Sequence, residues 1–417
     1  MKIRLMTSGK QWILLILFYL LLLQNPLGEW QPVFNYIDEC LAMIGPMLHI
    51  YRVLNTGKFV AKKGNLRAVA ALTIFLTSGL IGNLIYAYQI KSAVLEDVYV
   101  SLKFFMSILT GYEVYRYCKA ENCRHVFSSQ ARFSAIVFFV LLLVDLIFEV
   151  YESSGVRYGL RVVQLFYFHP TYLAGSMVFL LAILTLFYEK KNDFYLLLTC
   201  AVLFFTLRGK AIGGIAVYFL VYFFILKQRK KLRLWHILLL AVVALIVGWE
   251  QFSYYYIDFG GASARFALTQ TSLVIAKDYF PIGTGFGTYA SNAAAEYYSP
   301  VYHMYGLNYI HGLSEADMSF GSDTFWPIII GQTGVVGTIV YVYALIALFR
   351  RVLGMKKINL CAYTSGIFIF AYLMISSTSE AAFCNAISIP LALMLGFVFA
   401  MEKSTVHNTG IGEIRVL

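Results

Sequence analysis

Five cationic side chains stand in apolar or aromatic sequence, and their types and spacing suit anion binding. Arg208 and Lys210 are two residues apart in TLRGKAIGG, Arg157 and Arg161 are four apart in VRYGLRV, and Arg265 lies in SARFALTQTSLVIAKDYF. A guanidinium binds phosphate or carboxylate through two parallel hydrogen bonds, and a lysine adds a point charge. The set predicts recognition of a phosphate or diphosphate, and stabilisation of its charge as it leaves during a reaction.

Two of these arginines also have an alternative interpretation. If the segment around Arg157 and Arg161 is helical, both side chains share one face. The following residues, GLRVVQLFYF, are amphipathic, so the segment could instead be an interfacial helix whose arginines snorkel to the membrane surface.

One carboxylate follows the cationic segments. Asp323 lies in SDTFWPIIIGQTGVVG, just before an apolar run. Two interpretations have equal support. In the first, Ser322 or Asp323 caps a helix that begins here, with Pro327 in its first turn. In the second, Asp323 is a carboxylate at the membrane surface that acts as a general base.

The residues between Arg265 and Asp323 begin with a helix and a glycine-rich stretch. The helix is predicted to be capped by Ser263, with Arg265 in its first turn, where backbone N–H groups favour an anion. PIGTGFGTY (281–289) lacks the strand and helix that surround a dinucleotide-binding motif. It is predicted to be a flexible turn rather than a direct substrate contact.

These residues belong to a strongly apolar chain. Of the 417 residues, 60% are hydrophobic and 13% are charged, whereas a soluble domain has about 25% charged residues. The predicted fold class is all-α: residues 1–417 form a single polytopic domain of an integral membrane protein. The net charge is +11, but no run of basic residues is interleaved with aromatic residues, which argues against a nucleic-acid partner. The cysteines and histidines lack metal-site spacing, so neither a metal nor another cofactor is expected.

Apolar runs that approach the roughly 20 residues of a membrane-spanning helix predict about twelve transmembrane helices. The runs are 11–27, 36–53, 68–90, 98–115, 133–151, 171–188, 194–207, 211–226, 234–250, 325–349, 358–377 and 382–402. The seventh and eighth are short and could form one hairpin that turns at Arg208–Lys210.

The distribution of charge predicts the orientation of these helices. With the N-terminus in the cytoplasm, all but eight of the 33 Lys and Arg residues fall in segments that return there, and both termini are cytoplasmic. The exceptions are Lys91, Lys103, Arg157, Arg161, Arg208, Lys210, Arg265 and Lys277. An arginine on the outer side adds nothing to topology, and at membrane depth it is usually paired or functional.

One predicted connection is much longer than the others. Residues 251–324 form an extracytoplasmic loop between the ninth and tenth helices, and loops of this length usually carry function. The loop is rich in tyrosine and phenylalanine, and aromatic faces suit sugar rings. Together with the outward cations and Asp323, it suits a substrate that has a lipid tail, a phosphate or diphosphate, and a sugar.

From Ala264 to Tyr341 the chain resembles the O-antigen polymerase/ligase superfamily. The order of that family's motifs is matched by Arg265, PIGTGFG, the variable stretch 288–321, Asp323 and GQTGVVG. Two further stretches of the family resemble TLRGKA and FHPTYLAG, and Arg208 lies at the position of the family's arginine. The likeness covers roughly residues 150–345. Gln332 stands where the family has a glutamate. Asp323 stands where the ligase branch has a histidine, which favours a polymerase.

The resemblance implies a GT-C-like, inverting, metal-independent glycosyltransferase of the bacterial cytoplasmic membrane. It would build a surface polysaccharide (O-antigen, capsule or exopolysaccharide) by moving the growing glycan from undecaprenyl diphosphate onto a lipid-linked repeat unit at the outer face. The catalytic residues would be Arg265 and Asp323, and Asp323 would take the proton of the acceptor hydroxyl or orient that hydroxyl. The residues expected to bind the diphosphate are Arg208, Lys210, Arg265, Arg161 and Arg157. Family members often work with a flippase and a chain-length regulator.

Two other functions remain open. A ligase-type transferase would use the same outward arginines to move finished glycan to another acceptor. A flippase or transporter of lipid-linked oligosaccharide would suit twelve helices equally well, but it should line a central path with charges. Few charges fall inside the predicted helices: Asp145, Glu149 and Lys103, with Glu113 near a helix end.

Overall fold

A computed structural model of the chain describes residues 8–56, 63–229 and 263–406, together with Trp235, Val242, Trp249 and Ser253. Numbered along these residues, the long helices are α1 (Gly9–Trp30), α2 (Ile37–Thr56), α3 (Lys63–Tyr86), α4 (Lys91–Cys118), α5 (Ala120–Phe148), α6 (Pro170–Leu186), α7 (Asn192–Phe205), α8 (Gly209–Val221), α9 (Ala264–Asp278), α12 (Trp326–Gly354), α13 (Leu360–Ser376) and α14 (Ser388–Val406). The short helices α10 (Asn292–Glu296) and α11 (Pro300–Met304) lie between α9 and α12. The predicted ninth span, 234–250, and the start of the predicted long loop lie outside the described residues.

The described helices are those of a membrane protein. Five segments are long and apolar enough to cross a bilayer: Gly9–Trp30, Leu66–Tyr86, Ala120–Phe148, Gly209–Lys227 and Trp326–Lys357. Four shorter helices are also apolar: Pro170–Leu186, Asn192–Phe205, Leu360–Ser376 and Ser388–Glu402. The helical membrane architecture is therefore confirmed, while the number of twelve spans and the membrane side of each connection stay predictions.

The centre of the bundle is formed by α6 and α14. Residues 177–186 of α6 and 388–401 of α14 are buried on every side. A helix that is apolar all round is stable only when it is enclosed, and the neighbouring helices provide that enclosure. α7 and α13 pack on α6, and α4 packs on α14. The ends of α6, α7 and α8 that carry the candidate residues are therefore anchored in the core.

The last helix begins later than its hydropathy predicts. The apolar run starts at residue 382, but α14 starts at Ser388. Residues 377–387 form a turn-rich connection after α13, which contains the only carboxylate between the two helices, Glu380. This polar connection approaches the candidate site.

The segment between α9 and α12 has a small aromatic core of its own. Tyr289 and Tyr302 are fully buried there, beside Leu268 of α9 and Ile328 of α12. The Tyr289 hydroxyl donates to the Leu268 carbonyl at 2.7 Å, and the Tyr302 hydroxyl accepts from the backbone N–H of Ala290 at 3.1 Å. These two tyrosines are thus enclosed by protein, so the expectation that loop aromatics present their faces to sugars does not hold for them.

The glycine-rich stretch fits into a break in α12. Gly334 leaves the helical conformation at φ 61°, and Gly283 of the turn has φ 73°. A Cβ on Gly283 would lie 2.5 Å from the Gly334 nitrogen, so the two backbones approach as only glycines can. The Thr284 N–H donates to the Gly331 carbonyl at 3.1 Å. Residues 283–290 are buried, so the turn is fixed rather than flexible, and it sets the position of α9 relative to α12.

Candidate active site at one end of the bundle

The two arginines that follow α5 lie on a hairpin rather than a helix. Strands β1 (Val156–Arg157) and β2 (Leu160–Arg161) pair antiparallel, with Arg157 opposite Leu160 and Arg161 opposite Val156. Successive side chains of a strand point to opposite faces, so Arg157 and Arg161 lie on different faces of the hairpin. The shared helical face and the interfacial-helix interpretation are both wrong for this segment.

Arg161 forms an ion pair and a hydrogen bond at the base of the hairpin. Its Nη1 lies 2.6 Å from Oδ2 of Asp145, which is fully buried in the last turn of α5. Its Nη2 donates to the carbonyl of Tyr151. Since a buried carboxylate requires a partner, this pair holds the hairpin against α5. The structure therefore places Arg161 in a local stabilising contact.

Arg208 contacts the histidine that precedes α6. Its Nη2 lies 2.8 Å from Nε2 of His169. The connections that carry them are joined by a backbone hydrogen bond of 2.9 Å, from the N–H of Val163 to the carbonyl of Phe205. Leu207 adopts φ 48°, a left-handed conformation that costs free energy for a residue with a side chain. The turn between α7 and α8 is therefore held in a strained form that presents Arg208.

Lys210 lies in the first turn of α8 and forms an ion pair with Glu380 of the connection after α13. The exposed fractions of the two side chains are only 9% and 13%. The charges of Arg208 and Arg265 also act on Lys210, so these residues lie near one another. Lys210 and the N-cap residue Arg208 both lie at the N-terminus of α8, whose helix dipole favours a nearby anion.

Arg265 and Asp323 form a second ion pair. Arg265 Nη2 lies 3.1 Å from Asp323 Oδ2. Ser263 precedes α9 as predicted, although its side chain makes no capping bond, and Arg265 is in the first turn. α12 begins only at Trp326, and no side chain caps it, so the interpretation of Asp323 as a helix cap is wrong. The indole N–H of Trp326 donates to Ser377 Oγ at 3.2 Å, which joins this end of α12 to the connection that holds Glu380.

Arg157 lies near enough to His169 for its charge to act on the imidazole. Partial desolvation, followed by the positive charges of Arg208, Lys210 and Arg157, lowers the pKa of His169 to about 4. A histidine with such a pKa is neutral at physiological pH, so it accepts a hydrogen bond from Arg208 without adding charge.

We define the cation cluster as Arg157, Arg208, Lys210 and Arg265, together with His169, Glu380 and Asp323. Four cations face two carboxylates in it, so the cluster keeps a net positive charge. Guanidinium groups, an ammonium and the N-terminus of α8 are the chemical groups that suit an anion with more than one phosphate group.

Most of this group was predicted from the sequence, but two members were missed. Neither Glu380 nor His169 was predicted as a site residue. The signal for Glu380 is its place in SSTSEAAFCN, a polar stretch between two apolar helices on the predicted outer side. His169 directly precedes Pro170 at the start of α6, and its contact with Arg208 is visible only in three dimensions.

Comparison with known proteins identifies no family for this chain. No protein-family model matches it, and the search of curated proteins returns no match. The cation cluster and the sequence motifs are therefore the features of the chain that bear on its function.

Proposed function

We propose that the protein is a surface-polysaccharide polymerase of the bacterial cytoplasmic membrane. In this proposal it transfers a growing glycan from undecaprenyl diphosphate to a lipid-linked repeat unit at the outer face, and the cation cluster binds the diphosphate of the donor. A flippase that delivers the repeat unit and a regulator of chain length are its expected partners.

The observation that carries the proposal is the convergence of four cations and two carboxylates from separate segments. Arg157 comes from the hairpin, Arg208 and Lys210 from the start of α8, and Arg265 from the start of α9. Asp323 is 3.1 Å from Arg265. An ion pair that only stabilises the fold matches one cation with one carboxylate. This group instead has more cations than carboxylates. It lies at one end of an apolar bundle, where the diphosphate of a lipid-linked substrate would lie.

The proposed reaction uses these residues in two roles. Asp323 takes the proton of the acceptor hydroxyl as its oxygen attacks the anomeric carbon of the donor sugar. The new glycosidic bond forms on the face opposite the diphosphate, the old carbon–oxygen bond breaks, and the configuration inverts. The negative charge that develops on the departing undecaprenyl diphosphate is stabilised by Arg208, Arg265 and the Lys210 ammonium.

The buried charges of the bundle favour a transferase over a transporter. Glu113 of α4 is paired with Arg52 of α2 at 2.8 Å, and Asp145 is paired with Arg161. Charges that neutralise one another locally stabilise helix contacts, whereas a transport path needs charges that face an open route.

Reconstitution tests the proposal directly. The purified full-length protein is given the lipid-diphosphate-linked repeat unit of its host without added metal, and the products are separated by size. We expect a ladder from the wild type and from Lys277→Ala, an exposed cation at the end of α9. Arg265→Ala should give none, and Arg265→Lys should be poor, because a point charge cannot replace the guanidinium fork.

Other results identify the alternative functions. Transfer of glycan to a second lipid acceptor without a ladder indicates a ligase. Movement of the repeat unit across the bilayer without any transfer indicates a transporter and overturns the proposal. A normal ladder from Arg265→Ala removes Arg265 from the active site.

A further inference from the structure

A group of tyrosines lies where the ends of α3, α9 and α11 meet. Tyr86 is the last residue of α3, and Tyr88 follows it in the connection to α4. Their rings are nearly parallel, with centroids 5.7 Å apart, and the ring of Tyr279, directly after α9, stands perpendicular to both. We define the aromatic surface as five tyrosines: Tyr86, Tyr88, Tyr279, Tyr305 and Tyr309.

Hydrogen bonds and packing fix the aromatic surface from below. The hydroxyls of Tyr88 and Tyr279 share a hydrogen bond of 2.9 Å. The Tyr305 hydroxyl donates to Oδ2 of Asp278 at 2.8 Å, and because Asp278 directly precedes Tyr279, this bond brings Tyr305 beside the other rings. The rings of Tyr88, Tyr279 and Tyr305 pack on the small aromatic core between α9 and α12.

The other side of the aromatic surface is open. Tyr86, Tyr88, Tyr279 and Tyr305 are half-buried, so each keeps part of its side chain exposed. Tyr309 is 88% exposed, and its ring lies next to the residue that follows Tyr305, since a Cβ at position 306 would be 4.0 Å from Tyr309 Cδ2. Side chains that are already fixed on one side need little further ordering when a ligand binds on the other.

The aromatic surface lies at the same end of the bundle as the cation cluster. Ser78 of α3 donates to the carbonyl of Thr333 in α12 at 2.9 Å, and the rings of Phe75 and Tyr341 are 5.0 Å apart. Lower numbers in α3 thus meet higher numbers in α12, so the two helices are antiparallel. The end of α3 at Tyr86 therefore lies toward the start of α12.

One helix connects the aromatic surface to the cation cluster. Arg265 is in the first turn of α9, and Tyr279 directly follows the last turn. The 15 residues of α9 form a helix about 22 Å long. A glycan whose diphosphate end is held at the cation cluster therefore reaches the aromatic surface with sugars several residues further along its chain.

Tyrosine rings that are partly exposed suit sugars. The face of an aromatic ring carries partial negative charge, which attracts the weakly positive C–H bonds on one face of a sugar ring. Tyrosine hydroxyls also exchange hydrogen bonds with sugar hydroxyls. Tyrosines are common at membrane interfaces as well, but the exposed carboxylate of Asp278 lies among these rings. A charge is unfavourable against lipid, so the aromatic surface faces water.

We infer that the aromatic surface binds the growing glycan, by stacking on sugars that lie several residues from its diphosphate end. The inference rests on the proposed function, because the glycan that it holds is the product of the proposed transfer. Binding of these distant sugars keeps the polymer on the protein between successive transfers, and it therefore lengthens the product.

Binding of soluble oligosaccharides tests the aromatic surface separately from catalysis. The full-length protein in lipid nanodiscs is titrated with lipid-free oligosaccharides of several repeat units from the surface polysaccharide of its host, and saturation-transfer NMR follows binding. Tyr88→Ala and Tyr309→Ala should each weaken binding about three- to tenfold, as expected for the loss of one aromatic contact. Tyr88→Phe keeps the ring and should stay within about twofold of the wild type. Tyr36→Ala removes another exposed tyrosine, between α1 and α2, and should bind as the wild type does.

The product ladder separates this inference from the proposed function. Tyr309 is an exposed residue, so Tyr309→Ala should fold even if Tyr88→Ala does not. When equal amounts of repeat unit have been consumed, Tyr309→Ala should give a shorter ladder than the wild type or Tyr36→Ala. A ladder of unchanged length, equal oligosaccharide binding by the wild type and Tyr309→Ala, or no binding by the wild type overturns the inference. A wild type that binds oligosaccharides through Tyr309 but makes no ladder overturns the proposed function instead, and leaves the aromatic surface as a glycan-binding site.

Discussion

Arg265 and Asp323 are 58 positions apart in the chain, and their charged groups are 3.1 Å apart in space. The exposed fractions of their side chains are 21% and 37%, so the pair is open to a substrate. An ion pair this exposed contributes about 1 kcal/mol or less to folding. The pair therefore does not hold α9 against α12. That position is set by the buried contact of Gly283 with Gly334, and the two charges are consequently available for chemistry.

Asp323→Asn should separate a catalytic role from a structural one. The amide keeps the shape of the side chain but cannot take a proton, so the rate of glycan transfer should fall by about 10²–10⁴, the usual contribution of a general base. The melting temperature should change little, because the residue caps no helix. Both are measured on purified protein with the lipid-linked repeat unit.

Asp317→Asn provides the control for this substitution. Asp317 is in the same segment and pairs with the exposed His311, so its loss tests the effect of removing any carboxylate nearby. The control should keep the wild-type rate. Retention of more than half of the rate in Asp323→Asn would show that the carboxylate only orients the acceptor.

The helices could be predicted from the sequence because hydropathy reports burial in lipid and protein alike. An uninterrupted apolar run such as residues 12–23 predicts a helix such as α1 without any knowledge of its neighbours. The predictions from sequence are wrong where hydropathy does not report the end of a helix or the position of a turn. Hydropathy places the start of the last helix at 382, but the polar residues before Ser388 form a connection, and VRYGLRV turns at Gly159 into a hairpin.

The cations of the candidate site and Asp323 were predictable from the sequence, whereas Glu380 was not. An arginine on the outer side of a membrane protein is conspicuous because it is costly and topology does not require it. Glu380 has no such signal, because acidic residues contribute little to topology. The separation of Arg161 from the cation cluster depends on Asp145, sixteen positions earlier, and the spacing of arginines alone cannot reveal that pairing.

The pair of Lys210 and Glu380 should respond to a double-mutant cycle. Glu380→Gln leaves a nearly buried ammonium without its counter-charge, which should lower the free energy of unfolding by about 3–5 kcal/mol. The double variant Lys210→Met/Glu380→Gln should recover much of that loss. Unfolding in detergent with denaturant measures each variant, and equal stability of the single and double variants would contradict a direct pair.

The same substitution makes a second, opposite prediction for binding. Glu380→Gln removes a negative charge from the cation cluster, so inorganic pyrophosphate should bind more tightly, while the double variant should bind it more weakly than the wild type. Calorimetry on the folded protein measures both. Weaker binding by Glu380→Gln would show that Lys210 does not contact the anion.

Arg161 should behave as a structural residue. Arg161→Gln leaves the carboxylate of Asp145 buried and without its guanidinium, so stability should fall by about 3–5 kcal/mol. The affinity of the folded variant for inorganic pyrophosphate should remain within about twofold of the wild type. Arg208→Gln is the comparison and should weaken that affinity about tenfold or more, as expected for a lost charged hydrogen bond. Equal weakening by both variants would place Arg161 in the binding site.

His169 should report the occupancy of the cation cluster through its pKa. In the folded protein partial desolvation and then the neighbouring cations lower this pKa from 6.5 to about 4. Between these values the unfolded chain binds a proton that the folded protein does not, so His169 makes stability rise with pH from about 4 to 6.5 and adds no dependence above that. Bound pyrophosphate offsets the positive charges, so it should raise the pKa of His169. NMR titration of protein with ¹³C-labelled histidine measures the change, and His169→Gln assigns the signal. A pKa that does not move when pyrophosphate binds would show that the anion binds away from Arg208.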